Sequence, residues 1–399
     1  MRVLCSTLPL EGHVRPLLPL GTALVKAGHD VRLATGLDWH ARVREAGLIP
    51  VAAGPSCADA FAATAHLSGL GELSLIQRAP ATFSRIFAPA KLPDLERIVA
   101  EWQPDLVVHE CTDLAAPIAA AAAGLPTVTQ GWGLVPLPGL TVPEPADVTW
   151  LWRSRGLEPG PYAGIFGTVH LHPVPSGLQP DARVPVGRLQ PMRLDTPAAP
   201  GATLPAWAEG LGRSMRPAVY VSLGTHPYFS QPEFFRTIFD GLARLDLEVV
   251  ATLGEHNDPA GLGPQPRNVH LARWLPLSQL LPLCSLVVCH GGSGTLLSSL
   301  AAGLPMLLLP RGADQFENAA ASERAGAARV LRPEALTAEA IAHEVEHLLV
   351  ADAYRHAAAR LRAEIEAMPA PSAVVPLLEE LACGGWPPAP DGAAPLGTT

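Results

Sequence analysis

Short apolar runs alternate with longer segments of helical periodicity through the first half of the chain. Residues 3–5, 31–34 and 106–108 are apolar runs that predict buried strands. Residues 16–27 and 114–123 carry the periodicity of helices and lie between those runs. Strands that alternate with helices in this way form a parallel sheet covered on both faces. The first half therefore predicts a doubly wound, Rossmann-like α/β domain.

The same alternation returns in the second half and predicts a second domain of the same class. Its predicted strands are residues 219–223, 249–253, 286–289 and 306–309, and its predicted helices are residues 233–245, 278–283 and 295–302. Residues 191–205 are rich in proline, alanine and glycine, which is typical of a linker. We therefore predict an N-terminal domain at 1–195, a C-terminal domain at 196–375 and a segment at 376–399 with a disordered tail.

Charge and composition exclude several classes of protein. The chain has 399 residues, a net charge of −9 and an isoelectric point of about 5.9, and it has no basic run, so no nucleic-acid partner is expected. Its six cysteines lack CxxC spacing, which predicts a reducing compartment and no metal site. Proline and glycine interrupt the longest apolar tract, residues 114–128, so no membrane span is expected. The N-terminus lacks a secretory signal pattern, which predicts a cytoplasmic protein.

A glycine-rich segment follows the predicted strand at residues 286–289. It reads His290-Gly291-Gly292-Ser293-Gly294-Thr295 and leads into a predicted helix. Ligands of open α/β sheets bind beyond the carboxyl ends of strands, where glycines let the backbone approach and a helix N-terminus offers N–H groups to an anion. Ser293 and Thr295 can donate hydroxyls, and His290 a ring N–H, to a diphosphate. The alternative is an ordinary glycine-rich turn between a strand and a helix.

Neighbouring segments supply polar and aromatic side chains that suit the rest of a nucleotide sugar. Asp314 and Gln315 follow the next predicted strand and would lie on the same rim, where they offer a carboxylate and an amide to sugar hydroxyls. Trp274, followed by Leu275, offers an aromatic plane on which a base can stack. The alternatives are a helix N-cap for Asp314 and a core position for Trp274.

Four segments with this order and spacing resemble the donor signature of one known family. They are Arg273-Trp274-Leu275-Pro276, His290 to Thr295, Gly303-Leu304-Pro305 and Asp314 to Ala319. The family comprises the inverting two-domain glycosyltransferases with the GT-B fold that are similar to UDP-glycosyltransferases, in particular the bacterial enzymes that glycosylate antibiotics and other natural products. The resemblance implies two Rossmann-like domains facing across a cleft, a nucleotide-diphosphate sugar as donor substrate, and neither a metal ion nor another cofactor.

The resemblance extends to a second glycine turn and bears on the choice of nucleotide. Ser222, Gly224 and Thr225 match the family's first strand and turn of the C-terminal domain, which reaches the diphosphate. Plant members of the family carry a ribose-binding glutamate at the position of Ser298. A serine cannot accept hydrogen bonds from two ribose hydroxyls as a carboxylate does, which favours a deoxyribose nucleotide. We expect a dTDP-sugar as donor, with a UDP-sugar as the alternative.

His13 is the candidate general base. The sequence places it in the loop at the carboxyl end of the first predicted strand. Its surroundings resemble the family's Gly-His-x-x-Pro element, in which the histidine removes the proton of the acceptor hydroxyl. A carboxylate on the other ring nitrogen fixes the tautomer and stabilises the imidazolium. Glu110, at the end of the strand predicted at residues 106–108, is the expected partner, and Asp113 is the alternative.

The acceptor is expected to bind to an apolar, charge-poor surface of the N-terminal domain. The side chains that would form it are also typical of a core and are Phe61, Leu67, Leu70, Leu75, Ile76, Phe83, Ile86, Phe87 and Trp132. The expected partners are thus a hydrophobic aglycone and a nucleotide sugar, with no nucleic acid or membrane, and the chain itself is a monomer or homodimer. Two alternatives stay open: a nucleotide-sugar epimerase of the same fold, and a catalytically inactive, glycosyltransferase-like partner protein.

Overall fold

The chain folds into two compact units in a computed structural model that describes residues 1–67, 78–135, 145–184, 187–195, 202–213, 215–226, 228–254 and 257–384. Unit 1 comprises Met1–Pro173, Asp181–Asp195 and Pro369–Thr399, the last described up to residue 384, and unit 2 comprises Val174–Pro180 and Thr196–Met368. The passage from Asp195 to Thr196 lies within the predicted linker. Three residues predicted for the acceptor surface, Leu70, Leu75 and Ile76, lie outside the described residues, as does the tail after residue 384.

Unit 1 is built on a seven-stranded parallel sheet. Its strands are β1 Arg2–Ser6, β2 Asp30–Thr35, β3 Ile49–Ala52, β4 Leu106–Glu110, β5 Thr127–Gln130, β6 Val169–His172 and β7 Arg188–Pro191. They are arranged in the order β3-β2-β1-β4-β5-β6-β7. In this register Ser6 of β1 lies opposite Ala34 of β2 and His109 of β4. The central strands are buried on both faces, which is why β1 and β4 consist largely of apolar side chains.

In the described part of unit 1, seven helices precede the second sheet. They are α1 Glu11–Lys26, α2 His40–Glu45, α3 Cys57–Thr64, α4 Ala79–Thr82, α5 Ala88–Trp102, α6 Ala115–Ala122 and α7 Thr149–Arg153. A π-helical turn, Phe83–Phe87, joins α4 to α5. Helices α5 and α6 cover one face of the sheet, and α1 covers the other.

Helix α1 begins earlier than the sequence predicts. The helical spacing of the apolar residues predicts a helix over residues 16–27. The observed helix begins at Glu11, since Val14 extends the buried stripe of the later leucines by one turn, and the Leu10 carbonyl accepts from the N–H of His13 at 3.0 Å. The loop position predicted for His13 was therefore wrong, because this residue lies in the first turn of α1.

Unit 2 repeats the architecture with a six-stranded parallel sheet. Its strands are β8 Ala218–Ser222, β9 Glu248–Thr252, β10 Val269–Ala272, β11 Leu286–Cys289, β12 Met306–Leu308 and β13 Ala328–Val330, in the order β10-β9-β8-β11-β12-β13. Its helices are α8 Pro232–Leu242, α9 Leu277–Leu280, α10 Ser293–Ala301, α11 Gln315–Arg324, α12 Ala338–Val350 and α13 Asp352–Ala367. Across the described ranges of both units, no helix is long and apolar enough to cross a membrane.

A final helix, α14 Pro371–Ala382, follows unit 2 in sequence but packs on unit 1. His29 of unit 1 contacts Glu379 of this helix at 3.0 Å. The buried face of α14 shares a core cluster with α1 through Val374, Val375, Leu378 and Leu381. The domain boundary predicted at residue 375 falls inside this helix.

The strand order of each sheet reverses at one place. This switch point lies between β1 and β4 in unit 1 and between β8 and β11 in unit 2. Open α/β sheets bind ligands outside the carboxyl ends of the strands at such a point. His13 and Glu110 belong to the first switch point, and Gly224 and His290 to the second. Each candidate motif thus lies where its own sheet is built to bind a ligand.

Candidate active site

A histidine and a carboxylate meet at the switch point of unit 1. His13 lies in the first turn of α1, and Glu110 is the last residue of β4. Nδ1 of His13 is 3.2 Å from Oε1 of Glu110. The Glu110 side chain is 2% exposed and that of His13 is 15% exposed, so the carboxylate is shielded from water while the imidazole can still be reached.

Thr112 joins this pair, although no sequence motif marks it. Its backbone N–H donates to Glu110 Oε2 at 2.7 Å, and its hydroxyl lies 2.7 and 2.8 Å from the two carboxylate oxygens. The same hydroxyl oxygen is 2.9 Å from His13 Nδ1. Since the hydroxyl has one proton and donates it to the carboxylate, Oγ1 of Thr112 accepts from Nδ1–H of His13. Nε2 then carries the lone pair, as a general base requires.

The negative charge of Glu110 can stabilise a positive charge on the His13 ring. Burial raises the pKa of Glu110, but the positive charge that His13 carries when protonated and the hydrogen bonds from His13 and Thr112 outweigh this effect and bring it to about 2. Glu110 is therefore ionised at neutral pH. An ionised carboxylate beside Nδ1 stabilises the imidazolium that forms when Nε2 takes up a proton.

Asp113, the alternative partner for His13, is engaged elsewhere. Its Oδ2 accepts hydrogen bonds from Lys91 Nζ at 2.7 Å and from Ser6 Oγ at 2.6 Å. Its Oδ1 accepts a long hydrogen bond of 3.4 Å from the N–H of Ala116, in the first turn of α6. The structure thus brings Glu110, and not Asp113, to the imidazole.

Two aromatic rings flank His13. The Phe83 ring lies edge-on with its centroid 5.8 Å away, and the Trp132 ring is tilted at 5.5 Å. Phe83 also packs with Leu8 and Phe87 in a small apolar cluster. Some side chains predicted for the acceptor surface, such as Phe87, therefore belong to the core. Two others, Phe83 and Trp132, give the candidate base an apolar surrounding.

Glycines make room for His290 at the switch point of unit 2. Gly224 and Gly291 have φ values of 80° and 88°, which glycine adopts without strain. A Cβ on Gly224 would lie 2.7 Å from Nε2 of His290, and a Cβ on Gly292 would lie 2.5 Å from the same atom. These approaches are too close for any other residue. The His290 ring thus leaves no room for a Cβ at Gly224 or Gly292.

His290 is a buried, neutral histidine. Burial lowers the pKa of His290 to about 4, and a hydrogen bond with the Ser222 backbone raises it only in part. Its Nδ1 is buried and has no hydrogen-bond partner among the residues that the structure describes. Beside it, α10 has Gly292 as its N-cap and thus no side chain over its first N–H groups. Together they can offer neutral N–H donors to an anion.

A hydrogen-bonded network orients Asp314. Ser293 Oγ donates to Asp314 Oδ2 at 2.6 Å, and Nδ2 of Asn318 donates to the same oxygen at 2.8 Å and to the Gly291 carbonyl at 2.9 Å. Although Asp314 precedes α11, its side chain makes no capping hydrogen bond to that helix. Asn318 belongs to the segment that resembles the family, but it was not among the predicted site residues.

The other predicted donor residues differ in accessibility. Trp274 is 39% exposed, so its ring is available for stacking and is not a core side chain, whereas the neighbouring Leu275 is buried. Gln315 is buried, and its Oε1 accepts the Arg311 N–H at 2.8 Å, so its carbonyl supports the loop before α11. Of the rest, Thr225 and Gly294 are exposed, Thr295 and Ser298 are half-buried, and Ser222 is buried.

Both halves of the chain match one protein family. Residues 22–149 match the N-terminal domain, and residues 236–381 the C-terminal domain, of the family described as erythromycin biosynthesis protein CIII-like. The chain belongs to this family of glycosyltransferases. It is an enzyme of the antibiotic glycosyltransferase type, and the resemblance of its donor segments to that group is confirmed.

Individual relatives agree with this assignment. The L-demethylnoviosyl transferase of Streptomyces niveus is 33% identical over 340 residues, which cover 80% of this chain and 82% of that enzyme. The structure of the glycosyltransferase VinC in complex with dTDP is 27% identical, with a TM-score of 0.79 over 96% of this chain and 100% of that one. The spinosyn rhamnosyltransferase SpnG in complex with spinosyn aglycone is 28% identical, with a TM-score of 0.78 over 95% and 100%. The predicted GT-B fold class is confirmed.

Proposed function

We propose that this glycosyltransferase moves a deoxysugar from a dTDP-sugar to a hydroxyl of a hydrophobic natural-product aglycone, with inversion at the anomeric carbon. The observation that carries the mechanism is the contact of His13 with the buried, ionised Glu110. The substrate classes are supported by the dTDP held by VinC, the aglycone held by SpnG and the sugar named for the Streptomyces niveus enzyme.

His13 acts as the general base in this reaction. Its Nε2 takes the proton of the acceptor hydroxyl while the hydroxyl oxygen bonds to the anomeric carbon, and the bond from that carbon to the diphosphate oxygen breaks. The sugar passes through an oxocarbenium-like transition state, and in-line displacement inverts the anomeric centre. The proton stays on His13 as an imidazolium that Glu110 stabilises, and the nucleoside diphosphate leaves with the bonding electron pair.

Residues 290–295, which we call the donor loop, stabilise the leaving group. His290 donates a neutral ring N–H to the diphosphate, and the N-terminus of α10 adds backbone N–H groups. The histidine and the helix N-terminus act on the negative charge that grows as the bond between the anomeric carbon and the diphosphate breaks. They therefore stabilise the transition state more than the ground state. Asp314, oriented by Ser293 and Asn318, accepts hydrogen bonds from sugar hydroxyls. The proposed reaction uses no metal ion or additional cofactor.

Ser298 and Trp274 support thymidine as the nucleoside of the donor. Ser298 is half-buried on α10, where it can form fewer hydrogen bonds to a ribose than a carboxylate would. Trp274 exposes a ring large enough to stack on a pyrimidine base.

The mechanism is tested with His13→Ala and Glu110→Gln. With dTDP-glucose as donor and a panel of polyketide and phenolic aglycones, we expect kcat to fall roughly hundredfold or more for His13→Ala, and roughly tenfold for Glu110→Gln. Calorimetric affinity for dTDP should not change, because the proposed donor residues lie in unit 2. His356→Ala, at an exposed position of α13, is the matched control. Turnover by His13→Ala near the wild-type rate would show that His13 is not the base.

A further inference from the structure

One buried lysine links three strand ends beside the catalytic pair. Lys91 lies on α5 and its side chain is 1% exposed. Its Nζ donates to the Thr7 carbonyl at 2.6 Å, to the Ala34 carbonyl at 3.3 Å and to Asp113 Oδ2 at 2.7 Å. Thr7 follows β1, Ala34 lies near the end of β2 and Asp113 lies in the turn after β4, so three acceptors at neighbouring strand ends match the three donor positions of the ammonium group.

Stability alone does not account for this arrangement. Replacing a buried ion pair by apolar side chains is often neutral or stabilising, because both charges lose their hydration on folding. The chain nevertheless accommodates Lys91 closely: Gly54 has a φ of 76°, and a Cβ there would lie 3.0 Å from Cβ of Lys91. Glycine at position 54 thus lets this turn lie close to the backbone and first side-chain atoms of residue 91.

The partners of Lys91 lead directly to the proposed catalytic groups. Asp113 closes a turn with Glu110 by an N–H to carbonyl hydrogen bond of 3.1 Å, and Thr112 lies between them in this turn. On the other side, the segment that begins at Thr7 leads into the first turn of α1 and so to His13. Lys91 therefore connects the two chain segments that carry the base and its carboxylate.

We propose that Lys91 is a positioning residue for this pair. It holds the segment after β1 against the turn after β4, and so keeps Nδ1 of His13 within hydrogen-bond distance of Glu110 and Thr112. Lys91 itself contacts no reacting atom. The inference rests on the proposed function of His13 as the base.

The test is the double variant Lys91→Met/Asp113→Asn, which removes both charges and leaves no buried ion unpaired. Methionine is unbranched and can follow the path of the lysine stem. We expect kcat to fall about tenfold or more, because small displacements of catalytic groups slow reactions strongly. KM for the dTDP-sugar should stay unchanged. The downfield proton resonance of His13 Nδ1–H, assigned by its loss in His13→Ala, should shift or broaden as its hydrogen bonds lengthen.

A milder variant covers the case in which the double variant does not fold. Ser6→Ala removes one hydrogen bond to Asp113 Oδ2 and keeps the ion pair, so a drop in kcat of about threefold is expected. Arg97→Met breaks an exposed ion pair with Glu101 on the same helix and should leave kcat unchanged. A folded double variant with wild-type kcat and an unchanged His13 resonance overturns the inference, as does a wild-type kcat in Ser6→Ala. Activity retained by His13→Ala would instead overturn the proposed function.

Discussion

Gly292 lies against the His290 ring. A single methyl group added at this residue would change one contact, the one with that ring. The Cβ of Gly292→Ala would lie 2.5 Å from Nε2 of His290, at a φ of −64° that alanine adopts freely. The ring must move away from the loop, so we expect the affinity for dTDP to fall about tenfold or more, as measured by calorimetry.

The matched control is Gly261→Ala, because a Cβ at Gly261 meets no atom within 4 Å and this residue lies outside the donor loop. It should bind dTDP as the wild type does. An unchanged dTDP affinity in a folded Gly292→Ala variant would mean that the position of His290 does not matter for donor binding.

The structure brings together His13 and Glu110, the pair that the sequence predicts, but it adds neighbouring side chains that the sequence does not mark. His13 and Glu110 could be predicted because carboxyl ends of neighbouring parallel strands meet on one rim. Spacing alone left Asp113 open beside the expected Glu110, because successive strand residues point to opposite faces and the turn after β4 redirects the chain. Neither Thr112 nor Lys91 belongs to a recognisable sequence motif. Their roles depend on side-chain direction and on a helix that is remote in sequence.

At the scale of the element, α14 is a structural part of unit 1. Leu378 is fully buried in the core cluster that α14 shares with α1. Leu378→Ala leaves a cavity there, so we expect the free energy of unfolding to fall by about 2–5 kcal/mol, measured by urea denaturation. Glu380→Ala, on the exposed face of the same helix, should change it by less than about 0.5 kcal/mol. Equal midpoints for Leu378→Ala and the wild type would show that α14 does not stabilise the fold.

Element types were easier to predict than element ends. Apolar runs predicted the central strands, since a doubly covered parallel sheet imposes a local and strong pattern. Helix limits depended on packing and on proline. Val14 extended α1 beyond its predicted start. The helix predicted at 278–283 is α-helical only as Leu277–Leu280 and continues as the 3-10 turn Leu281–Leu283, where Pro282 lacks the N–H of an α-helical hydrogen bond.

At the scale of the whole molecule, buried neutral histidines govern the response to acid. Burial lowers the pKa of His170 to about 3 and that of His172 and His290 to about 4, whereas the unfolded value is 6.5. Above pH 6.5 both states are neutral and these groups have no effect. Below it the unfolded chain takes up protons that the folded chain cannot, so stability falls by up to about 1.4 kcal/mol per pH unit for each histidine. Below about pH 4.5 the unfolded chain also takes up a proton on Glu110, which the folded chain with its pKa of about 2 does not, and this adds to the decline.

Urea unfolding at intervals from about pH 7.5 to about pH 4.5 measures this slope. His170→Gln should flatten the slope, whatever its effect on stability at neutral pH, because one of the protons taken up on unfolding is removed. A free energy of unfolding that is constant over this range would contradict the assignment of neutral, buried histidines.

The packing of α14 on α1 also sets an order of events during synthesis. A ribosome releases the chain at about 5–20 residues per second, and β1 and α1 emerge long before residues 371–382. Until then the stripe of α1 that α14 will cover stays open to water, while all of unit 2 is being made. The helix that carries His13 therefore completes its packing only when translation has passed through both units. A product arrested before α14 contains every proposed catalytic residue and still lacks part of the core that holds the base in place.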